Sequence, residues 1–295
     1  MTTQPTTKRQ SQALEIWRRF KKNPLAMLGL GIIIGLILLA LFAPVIAPHT
    51  DRDPGYDIQN LRNVFQQPSM EHIMGTDNFG RDVFSRLAWG ARTSLMVGVV
   101  VITMSLTVGV TLGAVAGYYG GLTDNIFMRV IDVVMAIPTI LLAITIASVV
   151  GGGGLMPVLT AVAVRGVPGY ARIVRASVLS VRGQEYIEAA HAIGASDARI
   201  IFKHVLPNCM APIIVEATMG MAGAISTAAA LAFLGLGMAP PSAEWGAMLS
   251  SGRQFMLAGH THLVLFPGLA IALVIFALNM MGDGLRDAFD PRLKK

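Results

Sequence analysis

The chain has 295 residues, of which 54% are hydrophobic and only 14% charged, and its mean hydropathy is +0.61. Soluble globular domains carry about 25% charged residues, so this composition excludes a soluble domain and predicts a polytopic membrane protein. The net charge of +6 does not indicate nucleic acid as a partner, because the basic residues flank apolar runs and form no basic face with aromatic side chains. The single cysteine, Cys209, excludes an internal disulfide and a cysteine metal cluster.

The chain begins with a basic segment followed by a long apolar run. Residues 1–24 contain six Lys or Arg and one Glu, and we expect them to form a cytoplasmic tail. The apolar run 25–46 exceeds the roughly 7–15 residues of a signal-peptide core, and further spans follow, so it is predicted to be an uncleaved first transmembrane helix. Residues 47–92 are polar and contain several prolines, which predicts an extracytoplasmic segment.

The end of this outer segment alternates acidic and basic side chains, namely Asp77, Arg81, Asp82 and Arg86. The pattern predicts a turn followed by a salt-bridged helix at the membrane surface. The alternative is a part in accepting substrate from outside.

Five further apolar runs are predicted to form a five-helix core within residues 93–281, so that the chain has six transmembrane helices and a cytoplasmic tail at 282–295. In the second span, Gly109, Gly113 and Gly117 recur once per turn, which favours close helix packing over pore lining. Pro138 predicts a kink in the third span. In the last outer loop, His260 and His262 are interpreted as solvated rather than as metal ligands.

Two charges, Arg165 and Glu216, interrupt the fourth and fifth spans. Counting about 1.5 Å per residue from each span end places them at similar depths in a core of about 30 Å. A charge at that depth should face the bundle interior or water and find a partner. The two side chains therefore form an ion pair, reach separately to the interface, or lie apart along a translocation path for charged substrate.

A moderately polar stretch, residues 182–208, separates these two spans and contains EYIEAAHAIGASDARIIFKHVLPN. Its first part spaces apolar residues at helical intervals, Ile187 with Ala190 and then Ala189 with Ile193, which predicts an amphipathic helix. Gly194 is predicted to end this helix in a left-handed conformation, and Ser196 to cap a second helix over about 197–205. Two short helices of this kind make a compact knob suited to docking a partner; the alternative is an interfacial loop without one.

This stretch resembles the EAA loop of the membrane subunits of ATP-binding-cassette importers, in which EAA is followed by glycine, isoleucine and Leu-Pro at fixed spacing. The residues that match are Glu188, Ala189, Ala190, Gly194, Leu206 and Pro207, whereas His204 stands at the isoleucine position. The sequence GTDNFGRD also resembles the segment before the second span in dipeptide, oligopeptide and nickel importer permeases.

The resemblance implies an all-α type I importer permease core and a loop that couples it to ATPase subunits. It also implies the partners: a second homologous permease, two ATPase subunits that bind ATP and Mg, an extracytoplasmic binding protein and the lipid bilayer. The chain itself has no nucleotide-binding loop, so no cofactor or catalytic role is expected for it. Implied substrates are di- or oligopeptides imported by alternating access, with nickel chelates or glutathione as the alternative.

Charge distribution gives the expected orientation in a bacterial or archaeal inner membrane. Fifteen basic residues fall in the segments predicted to be cytoplasmic and six in those predicted to be outside, which places both termini and the loop 182–208 inside.

Two other functional classes are less well supported by the sequence. An ion-driven transporter could route protons through Arg165, Glu216 and Asp132, but no inverted repeat is evident. An intramembrane protease is suggested only by the Asp283 segment GDG, without a second aspartate placed to complete a catalytic pair.

Overall fold

The computed structural model describes residues 12–47, 57–151, 154–239 and 241–290. These ranges contain helices and no β-strand, which confirms the all-α prediction. The helices are α1 Gln12–Lys22, α2 Pro24–Ile46, α3 Val83–Tyr119, α4 Gly121–Ala136, α5 Thr139–Val150, α6 Leu155–Val181, α7 Glu185–Ala192, α8 Asp197–Ile200, α9 Met210–Phe233, α10 Trp245–Gly252 and α11 His262–Phe289.

Among the described residues, four helical runs are long and apolar enough to cross a membrane: α2, α3, the continuous run from α8 through α9, and α11. The pair α4 and α5 is a fifth candidate, broken by a bend of 96°. The break falls at Ile137 and Pro138, so the expected kink is a sharp change of direction. Helix α6 has 27 residues but lower hydropathy, because Arg165 and Arg172 interrupt it; it packs between α3, α5 and α9 as the sixth helix of the bundle.

The glycine stripe of α3 is a packing surface, as predicted. A Cβ atom added at Gly113 would lie 2.4 Å from the carbonyl oxygen of Ala171 in α6, and one added at Gly109 would lie 2.6 Å from the Cβ of Tyr170. Glycine is therefore required for the backbones of α3 and α6 to approach this closely.

The segment before α3 differs from the predicted surface helix. Asp77, Arg81, Asp82 and Arg86 are all buried, and Asp82 caps the start of α3 at Val83. The Arg81 Nε lies 2.7 Å from the Asp77 carboxylate, and Arg86 donates to two backbone carbonyls of the loop before α10 at 3.1 and 3.0 Å. Burial of these charges is possible because each has a partner.

The two histidines of the last outer loop are also packed, so the solvated interpretation is wrong. His262 is buried and its Nε2 lies 3.2 Å from the carbonyl oxygen of Thr76, while the ring of His260 stacks on Phe65 with centroids 4.2 Å apart. Within the described ranges, no group of three or more His, Cys, Asp or Glu side chains is placed to hold a metal ion.

Candidate functional site

The loop between α6 and α9 begins with a helix that ends in the predicted glycine turn. Helix α7 stops at Ala192, and Gly194 has φ of +79°, in the left-handed region. The N–H of Gly194 donates to the carbonyl of His191 at 2.9 Å, and that of Ala195 to the carbonyl of Ala190 at 3.1 Å. These two bonds form the glycine C-terminal cap called a Schellman motif. The turn therefore fixes the direction in which the chain leaves α7 and enters α8.

The second half of the loop leads without interruption into the membrane. Ser196 precedes α8 with the extended backbone of an N-cap, although its side chain makes no capping bond within the described residues. After α8 the backbone forms one wide π-type turn over Ile201–Val205 and one tight 3₁₀ turn over Leu206–Cys209, and α9 follows. The predicted residues Leu206 and Pro207 therefore lie at the junction with α9, Leu206 half-buried and Pro207 exposed.

One side of the loop is fixed to the membrane helices by apolar packing. Ile187, Ile200 and Val205 are almost completely buried and form a cluster with Val174 and Val178 of α6. Each such side chain contributes about 1.5–3 kcal/mol on full burial. The loop is consequently part of the folded core and not a flexible connection.

Polar contacts join the same loop to the end of α3. The hydroxyl of Tyr118 donates to Asp197 Oδ1 at 2.9 Å and lies 3.0 Å from His191 Nε2, and the hydroxyl of Tyr119 donates to Asp197 Oδ2 at 3.2 Å. The Arg182 guanidinium donates to the carbonyl of Gly117 at 2.9 Å. Nothing in the sequence pattern indicated these contacts, because they join residues about 70 positions apart.

The other side of the loop presents apolar side chains to its surroundings. Ile193 is 85% exposed and Phe202 72% exposed, and Glu188 and Ala189 of α7 are exposed as well. The two apolar pairs at helical spacing thus lie on different sides of α7: Ile187 and Ala190 are buried, whereas Ala189 and Ile193 are exposed. These exposed apolar side chains on an ordered element are available for contact with a partner.

A cavity of about 610 Å³, open to one side, lies between the helices of the bundle, and both charges that interrupt the spans line it. Arg165 is contributed by α6 and Glu216 by α9; within the described residues neither has an ion-pair or hydrogen-bond partner. Tyr170 and Asn279 also line the cavity and had no sequence signature. By contrast, Asp132 is already paired, with Arg172 of α6.

Comparison with known proteins places this architecture in a family. Residues 109–295 match the family described as "Binding-protein-dependent transport system inner membrane component", and residues 11–68 match the "N-terminal TM domain of oligopeptide transport permease C". The fold resembles that of a chain in an inward-facing structure of the MetNI methionine ABC transporter, with a TM-score of 0.56 and 19% identity over 70% of this chain and 97% of that one.

Two curated relatives cover nearly the whole chain. A protein of Alkalihalophilus pseudofirmus named "Dipeptide transport system permease protein DppC" is 48% identical over 98% of this chain and 94% of its own length. One of Escherichia coli O6:K15:H31 named "Glutathione transport system permease protein GsiD" is 45% identical over 95% of this chain and 90% of its own length. The chain therefore belongs to the family of inner membrane components of binding-protein-dependent transport systems, as an ABC importer permease of the oligopeptide permease C type.

Proposed function

We propose that this chain forms half of the translocation pore of an ATP-driven importer of di- or oligopeptides and couples that pore to ATPase subunits through the loop 182–208. A second, homologous permease completes the pore, two partner ATPase subunits bind ATP and Mg, and an extracytoplasmic binding protein delivers the substrate. Both termini and the loop then lie in the cytoplasm, where ATP is available. The names of the relatives support peptides as substrates, with glutathione, itself a small peptide, as the second candidate.

The observation that carries the coupling proposal is the two-sided construction of the loop. Ile187 and Val205 are buried against α6, whereas Ile193 and Phe202 project outward from the same rigid unit. A docking element that transmits motion needs both properties: an apolar surface that a partner can bury, and fixed attachment to the helices that move. Glu188, beside this surface, adds a charge for orienting the partner.

The decisive substitution is Ile193→Asp in the assembled transporter. Because the side chain is exposed here, the charge does not disturb the fold, but it would be buried in the interface with an ATPase subunit. We expect the affinity of the ATPase subunits to fall about 30-fold or more, as for an interface hot spot of about 2 kcal/mol. ATP hydrolysis stimulated by loaded binding protein should fall with it.

The matched control is Leu257→Asp, an exposed apolar position in the loop before α11, at the opposite end of the bundle. It should leave co-purification of the ATPase subunits unchanged. Equal ATPase affinity in the Ile193→Asp variant and wild type would refute docking through this surface. Stimulation by binding protein loaded with a dipeptide, glutathione or a nickel chelate identifies the substrate class.

A further inference from the structure

The cavity inside the bundle has the dimensions of a ligand site. Its volume of about 610 Å³ lies within the roughly 300–1,000 Å³ typical of small-molecule pockets. Its wall is formed by α3, α6, α9, α11 and the break between α4 and α5, and includes Arg165, Tyr170, Glu216 and Asn279. Apolar side chains supply much of the remaining surface, as in most sites that bind small molecules.

The two opposite charges on this wall are not neutralised by the described residues of this chain. Across the part of the chain that the structure describes, no side chain pairs with Arg165 or with Glu216, although both are half-buried. Ionised side chains within a membrane are costly and almost always find partners. A ligand that carries both a carboxylate and an ammonium group would supply the two partners at once.

A third group on the wall also has unused hydrogen-bonding capacity. Tyr170 is only 4% exposed, and its hydroxyl has no hydrogen-bond partner among the described residues. This hydroxyl points toward α9, because a Cβ added at Gly220 would lie 2.0 Å from it. The hydroxyl is enclosed between α6 and α9, so this wall of the cavity contains a buried polar group whose hydrogen-bonding capacity is unmet.

We propose that the cavity is a transient binding site for the zwitterionic form of a free peptide on its way through the pore. Arg165 binds the terminal carboxylate, which its planar guanidinium can contact through two parallel hydrogen bonds. Glu216 binds the terminal ammonium group. The site selects for unblocked ends and is indifferent to the side chains between them. This inference rests on the proposed import of peptides for the identity of its ligand.

The test measures binding of radiolabelled dialanine to the assembled transporter in lipid nanodiscs, without binding protein, by equilibrium dialysis. The ligands are the free dipeptide, its N-acetyl derivative and its C-terminal amide. We expect wild type to bind the free dipeptide at least about tenfold more tightly than either derivative, because each derivative lacks one charge-assisted contact.

Two variants should each lose one of these preferences. Arg165→Gln no longer distinguishes the free acid from the amide but still prefers the free amine, and Glu216→Gln shows the reverse. Arg129→Gln, a control in α4 that changes an exposed charge outside the cavity, keeps both preferences. If wild type shows no end-group preference, or both variants keep both preferences, the cavity is not a zwitterion site.

A direct ion pair between the two side chains is the competing explanation. It is supported, and the binding site overturned, if exchanging the charges in a double variant Arg165→Glu with Glu216→Arg restores transport and leaves the end-group preferences unchanged. Hydrolysis of ATP stimulated by peptide-loaded binding protein is measured in the same preparation. Normal stimulation without end-group preference removes the site and leaves the import function standing; absence of stimulation by any peptide overturns the import function, whatever dialysis shows.

Discussion

Replacing Gly194 with valine tests whether the defined turn of the loop is required for coupling. Gly194 adopts φ of +79°, and there is open space within 4 Å of where a Cβ would be added. The substitution therefore causes no collision, and its effect is conformational. A left-handed backbone costs an L-residue about 1–2 kcal/mol, and a β-branched side chain is among the least tolerant of it.

This free energy corresponds to a factor of about 5–30 in the ratio of the native turn to opened conformations. The turn is exposed and closed by two backbone hydrogen bonds, so its local stability is low compared with that of the core. Hydrogen exchange of the Gly194 and Ala195 amides should accelerate by this factor in Gly194→Val. ATP hydrolysis stimulated by loaded binding protein should decrease in the same preparation.

Two further substitutions make the result specific. Gly194→Asn should retain most of the protection from hydrogen exchange and most of the stimulated ATP hydrolysis, because asparagine tolerates the left-handed region better than other non-glycine residues. Gly183→Val should behave as wild type, since Gly183 lies just before α7, has no positive φ, and likewise has open space around its Cβ position. The reasoning is refuted if Gly194→Val keeps full protection and stimulation, or if Gly183→Val loses as much.

Two predictions concern stability, measured as thermal unfolding of the purified complex. Gly113→Ala should destabilise the bundle by about 1–3 kcal/mol, because its Cβ would lie 2.4 Å from a backbone oxygen of α6. The control Gly35→Ala on α2 places its Cβ in open space and should not have this effect. Equal unfolding temperatures of the two variants would contradict the prediction. Burial raises the pKa of the Glu244 carboxyl above its ordinary value of 4.5, against the effect of the backbone N–H groups it caps. Its contribution to stability is therefore present below that ordinary value and lost as pH rises through the raised pKa. Acidification from pH 7 toward 5 should stabilise wild type relative to Glu244→Gln, and a pH-independent difference between the two would argue against it.

The sequence predicts those features that local chemistry determines. Apolar runs of sufficient length identify helices wherever they occur, and Gly194 is recognisable because the left-handed conformation at a helix end favours glycine whatever surrounds it. Counting residues placed Arg165 and Glu216 at similar depths because the helical rise is constant, and both residues line the same cavity.

Features that depend on tertiary packing cannot be predicted from the sequence alone. Ile187 and Ile193 have the same apolar character in one short segment, yet only Ile187 meets α6, and the difference arises from how α7 is oriented. Pro138 marks where the third span bends, but the 96° angle depends on the packing of α4 and α5 against other helices. The buried charges before α3 look like a solvated surface in the sequence, but Arg81 is paired with Asp77 and Arg86 with carbonyls of the loop before α10.

The route by which the loop acts on the cavity follows from how α3 and α6 are joined. Their interface contains glycines that bring backbone against backbone, so there is little compressible side-chain volume between them, and α3 and α6 should move as one unit. The loop is attached to both, through Val178 of α6 and through the contacts of Tyr118 at the end of α3. The loop also continues directly into α9, so its displacement should act on α3 and α6 as one unit and separately on α9, and the two sides of the cavity can shift relative to each other.

That relative shift matters because the two charges of the cavity lie on different helices, Arg165 on α6 and Glu216 on α9. Changing their separation changes how well both can contact one ligand. Nucleotide can drive alternating access only if it binds the two pore conformations with different affinities. In the same way, a ligand held between α6 and α9 favours the conformation that it fits better, and the two effects are reciprocal. The exposed surface of the loop and the cavity should therefore be coupled through the helices that join them. Substrate in the cavity should alter ATPase activity through the same loop.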